Sequence, residues 1–145
     1  MISLRNHQRR VPLDLPWLRR FAAVALKECL RHSADGRFAL RGFEEISIAI
    51  VSDRRIAQVH LDFMGLSGPT DVITFEYGEI VISAETAWAY AADFDLPVNH
   101  EVALYIVHGF LHLNGFDDRT RGGHVRMHRT QERIMKTCLG RLTAD

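Results

Sequence analysis

The chain has 145 residues, 47% of them hydrophobic and 25% charged, with a formal net charge of zero. That length supports one core, and the balance of apolar and charged residues excludes a disordered chain and a membrane class. Cys29 and Cys138 stand alone without a CxxC pair, which excludes a disulfide scaffold or a thiolate zinc site.

The N-terminal MISLRNHQRR and the VPLDLPWLRRF that follows are broken by prolines and charges and hold no apolar run of signal-peptide length. No stretch approaches a membrane span, so a cytoplasmic protein without a membrane partner is expected. Residues 2–8 predict a short opening strand, and residues 16–32 a helix with Trp17, Phe21, Val24, Ala25 and Leu30 on its apolar face. Gly36 and Gly42 bracket a loop. The β-branched alternation of residues 45–51 reads as a strand, and Ser52 as the cap of a helix over 53–63 that Gly65, Gly68 and Pro69 end. Residues 71–76 and 79–83 form a hairpin about Gly78, after which Ser83 caps another helix with Glu85 in its first turn. Pro97 and Asn99 introduce a helix whose Val102 to Val107 segment is apolar all round, hence buried, and which Gly115 ends. A last helix over 123–139 turns Met127, Ile134, Met135 and Cys138 inward. The expected fold is a single α+β domain over residues 1–145, a mixed sheet of about four strands packed with about five helices.

The zero net charge hides a segregation. Residues 1–55 hold eleven Lys and Arg against six carboxylates, 56–118 hold ten carboxylates and no Lys or Arg, and 119–145 hold seven cations against two carboxylates. Such a layout suits a metal site flanked by phosphate-binding surface.

His108 and His112 lie four apart on the buried helix and project from one face, close enough to share an ion. Eight histidines in 145 positions give roughly 0.4 such pairs by chance, so spacing alone decides nothing. Their apolar helix does more, because two imidazoles inside it need partners for their ring nitrogens and a metal supplies one to each. The turn at Gly115 then delivers Asp117 and Asp118, carboxylates able to complete a three-ligand site with an open fourth position. The competing reading is two hydrogen-bonded core histidines. A second pair, His124 and His128, falls on a basic helix and reads as surface.

The segment His108-Gly109-Phe110-Leu111-His112-Leu113-Asn114-Gly115-Phe116-Asp117-Asp118 resembles the signature of the YbeY endoribonucleases, His-Gly-x-Leu-His-Leu-x-Gly-Tyr/Phe-Asp-His. Pro69-Thr70-Asp71-Val72-Ile73-Thr74-Phe75 and Gly78-Glu79-Ile80-Val81-Ile82-Ser83 resemble two further blocks of that family, in the same order. The resemblance implies one divalent ion, zinc by preference, held by His108, His112 and Asp118, with His124 as the alternative third ligand. It implies a hydrolase that cuts single-stranded ribosomal RNA during ribosome biogenesis, with the small ribosomal subunit as partner and no nucleotide cofactor. Asp117 is expected to orient a histidine ligand or a water.

Two positions depart from the family. Asp118 stands where the family has a third histidine, and a carboxylate neutralises part of the ion's charge and also suits iron. Met64 stands where the family has an arginine six residues before Thr70, and methionine neither binds phosphate nor stabilises its charge. Arg54, Arg55, Arg119 and Arg121 are the candidates for contacting RNA in its place. These departures leave room for an RNA-binding factor with a structural metal. A small metallopeptidase is the third reading, opposed by Gly109, which occupies the slot of those enzymes' catalytic glutamate.

Overall fold

The computed structural model describes residues 1–144. The elements run β1 (Ile2–Asn6), α1 (Leu15–Cys29), β2 (Ile46–Val51), α2 (Asp53–Met64), β3 (Val72–Phe75), β4 (Glu79–Ser83), α3 (Ala84–Asp93), α4 (Val98–Leu113) and α5 (Arg121–Ala144), with one 3₁₀ turn at Ala39–Gly42. This is the expected α+β fold, four strands in one mixed sheet with five helices.

Local chemistry explains most boundaries. Asp14 accepts from the Trp17 amide, Ser52 from Arg55 and Ser83 from Thr86 at the starts of α1, α2 and α3, caps worth about 1 kcal/mol each. Gly65, at φ 68°, closes α2 in the left-handed region that a side chain disfavours. Besides small shifts at the ends of α1 and α5, the end of the first strand and the buried face of α1 differ from the pattern. The first strand stops at Asn6 because the Gln8 side chain folds back, donating to the Val11 carbonyl at 2.9 Å and accepting from the Val11 amide at 2.9 Å. The buried face of α1 is Leu18, Phe21, Ala22, Ala25 and Cys29, with Trp17, Val24 and Leu30 only partly covered. The helix therefore sits rotated from the expected stripe, with Trp17 stacked on Phe21 at the edge of the core.

The sheet order is β1-β2-β4-β3, with β1, β2 and β4 parallel and β3 antiparallel to β4. Strand alternation divides two cores. Leu4, Ile46, Ile48, Ile50, Ile80 and Ile82 face the main core beneath α1, α4 and α5, while Val51, Ile73 and Val81 face Ile56 of α2.

Helix α4 runs through the main core and is buried on most sides. At Gly109 it lies so close to β4 that a Cβ would come within 2.7 Å of the Ile80 side chain. A side chain there would have to displace Ile80, which counts against the glutamate that a metallopeptidase would place at this position.

Candidate metal centre

Helix α4 ends in a Schellman motif, in which the Phe116 amide donates to the Leu111 carbonyl at 3.0 Å and the Gly115 amide to His112 at 3.2 Å, with Gly115 at φ 94°. This turn carries the Phe116 carbonyl back over the helix, where it accepts from His112 Nδ1 at 3.1 Å. One turn earlier, His108 Nδ1 lies 2.8 Å from Oε1 of the buried Gln131, which α5 brings across. A carbonyl and an amide oxygen only accept, so each Nδ1 carries the proton of a neutral ring.

Both Nε2 atoms are then left as lone pairs, and they face each other at 3.1 Å. Two nitrogens bound to one tetrahedral ion at 2.0–2.1 Å would stand about 3.3 Å apart. Asp118 adds a carboxylate oxygen 3.9 Å from His108 Nε2, and ligand atoms of all three residues lie within 4.8 Å of one another. Opposed lone pairs with a carboxylate beside them repel in the absence of a cation and suit one when it is present. The donor set fits a divalent ion. Burial pushes the His108 pKa below its ordinary 6.5, with Gln131, Asp118 and Asp71 opposing and His112 reinforcing the shift, so the ring tends to stay in its ligating form.

Of the remaining expected residues, Asp117 and Arg119 line the groove at the histidines and the others lie elsewhere. His124 is exposed and outside this cluster, its ring packed on His128 at 4.3 Å between centroids. The Asp117 carboxylate accepts from the Arg119 amide at 2.8 Å and from its guanidinium at 2.7 and 2.6 Å, and this pairing holds its pKa below the usual carboxylate range. The atoms that orient the two histidines are the Gln131 and Phe116 oxygens. Of the four arginines, Arg119 lines the groove at the histidines, Arg55 lines a separate cavity on the α2 side of the sheet, and Arg54 and Arg121 are exposed.

The cluster lies between two cavities that share Val72, His108, His112 and Asp118. One, of about 520 Å³, is also lined by His60, Met64, Thr74, Glu76 and Arg119. The other, of about 400 Å³, is lined by Asp71, Tyr90, Glu101, Tyr105, His128 and Gln131. Burial raises the Glu101 carboxyl's pKa, and no Lys or Arg lines this second cavity, which leaves a phosphate there without a guanidinium or ammonium donor. Sequence reasoning missed Gln131 and His60. Gln131 had one signal, a polar residue on the inward face of an otherwise apolar helix stripe.

Known proteins resemble this chain in the same terms. The family profile described as Endoribonuclease YbeY matches residues 3–139. Endoribonuclease YbeY of Halalkalibacterium halodurans is 31% identical over 134 residues, covering 76% of this chain and 82% of that protein. The protein of the same name from Desulfitobacterium hafniense is 33% identical over 109 residues, 63% of this chain and 69% of that one. The solution structure of TM1509 from Thermotoga maritima superposes with a TM-score of 0.68 at 22% identity, over 99% of this chain and 93% of the other, and supports the fold.

Proposed function

The chain belongs to the endoribonuclease YbeY family, and we propose that it is a zinc-dependent endoribonuclease that cuts single-stranded regions of ribosomal RNA in the cytoplasm, with the small ribosomal subunit as partner. The observation that carries the reading is the pair of opposed Nε2 atoms of His108 and His112, 3.1 Å apart, with Asp118 beside them. In that reading His108, His112 and Asp118 hold the ion, and Gln131 and the Phe116 carbonyl fix the two rings through their Nδ1 protons. The ion, when bound, supplies Lewis acidity toward a phosphoryl oxygen and acidifies a water.

The chain's own residues define where the substrate lies. Both cavities are lined by three carboxylates, but only the groove of His60 and Met64 is also lined by an arginine, Arg119, so the phosphodiester is assigned to that groove. Long-range attraction for RNA is assigned instead to the basic terminal segments. Exposed Arg129, Arg133 and Lys136 on α5 supply charge that draws RNA by counterion release, so binding weakens with salt.

Metal analysis of the purified protein, combined with cleavage of a ribosomal RNA fragment, tests this. One zinc per chain and cleavage that stops with chelator and returns with zinc are expected. Cleavage insensitive to chelator would overturn the assignment. The pairing of Arg119 with Asp117 and the methionine at position 64 favour one other reading, an RNA-binding factor with a structural metal. Metal-dependent RNA binding without any cleavage would select it.

A further inference from the structure

A groove that binds a phosphodiester needs a positive donor, and this one is short of them. Its lining includes three carboxylates, Glu76, Asp117 and Asp118, and one guanidinium, Arg119, which is already engaged by Asp117 at 2.6 Å. His108 and His112 are turned toward each other. The remaining lining side chain able to carry positive charge is His60.

His60 stands one helical turn before Met64 on α2, so the two share a face and both reach the groove. Its ring is held rather than loose. His60 Nδ1 lies 3.0 Å from the Gly68 carbonyl, in the loop that follows α2. Gly68 takes φ 92° there, a conformation that a side chain disfavours. Because the carbonyl only accepts, Nδ1 donates, and Nε2 has no hydrogen-bond partner within the protein among the described residues. In its charged form the ring donates from both nitrogens, one to Gly68 and the other outward.

We propose that His60 replaces the family arginine that position 64 lacks, its Nε2–H donating a charge-assisted hydrogen bond to a non-bridging oxygen of the RNA phosphate held in the groove. The proposal rests on the reading of this site as an RNA-cutting centre. It assigns His60 to substrate binding and charge stabilisation, one donor where a guanidinium would offer two.

The test separates this role from a merely structural one. His60→Gln keeps an N–H able to reach Gly68 but carries no charge, so its melting curve and metal content should match wild type. Its single-turnover cleavage of single-stranded RNA should slow by about tenfold to one hundredfold. Adding Met64→Arg should restore most of that loss, because a guanidinium one turn away reaches the same groove, whereas a loop-holding histidine would not be replaced by it. Wild-type cleavage in His60→Gln, or a loss that Met64→Arg leaves untouched, would overturn the proposal while the nuclease reading stands. A wild-type protein that holds its metal and cuts no RNA would overturn both.

Discussion

Two pairs of histidines sit four residues apart on helices of this molecule, with ring centroids separated by 4.6 Å in one and 4.3 Å in the other. By spacing they are equivalent. They differ in what surrounds the rings. His108 and His112 are half-buried, each with Nδ1 fixed by an oxygen acceptor, and a carboxylate stands in reach. His124 and His128 are exposed, and none of their ring nitrogens has a hydrogen-bond partner among the described residues. On the proposed assignment, what makes an i, i+4 pair a ligand pair is that other elements choose the tautomer and add a third donor.

The comparison breaks most completely at His112. His112→Ala should abolish stoichiometric metal, read by elemental analysis of the purified protein. Retention of a full equivalent would remove the first pair's distinction from the second.

Gln131→Ala tests the orienting partner. It leaves all three ligands in place but frees the His108 ring, and metal affinity should fall by about 10-fold to 100-fold in a competitive chelator titration. An unchanged affinity would mean that α4 alone orients the ring.

Acid sharpens the contrast more gently. Burial lowers the folded-state pKa of His108 below 6.5, while in the unfolded chain the ring protonates at its ordinary value. The unfolded state therefore binds more protons between those two values. Stability contributed by the neutral ring is fully present above pH 6.5, declines as pH falls from 6.5 toward the lowered value, and levels off below it. Urea midpoints of metal-free wild type and His108→Asn should converge across that window. Parallel curves would show that the ring titrates normally.

The smallest effect is expected at the second pair. His124→Ala should keep its full metal content, because the proposed third donor is Asp118, whose carboxylate is grouped with His108 and His112. Loss of metal in that variant would move the third ligand from the loop to α5.

Much of the architecture was legible because its causes are local. Ser52, Ser83 and Gly65 act on amides and carbonyls within four residues, so their types mark the ends of α2 and the start of α3. The all-apolar stretch from Val102 to Val107 announces a buried helix, and Gly115 announces its end. Asn114 was illegible. Inside the motif it looks like a free position, yet it is fully buried and ties α4 to the end of α1 and the segment after it through Cys29, His32 and Leu40.

The sequence by itself determined the elements, the pairing of His108 with His112 on one helix face, and the carboxylates just past the Gly115 turn, since helical periodicity and backbone capping operate over a few residues. Tertiary structure alone decided which groups meet across long separations. It brought Gln131 to His108 from 23 positions away and set His60 on the wall of the groove. Those choices depend on how α2, α4 and α5 pack about the sheet, and packing is a property of the whole core rather than of any segment's composition.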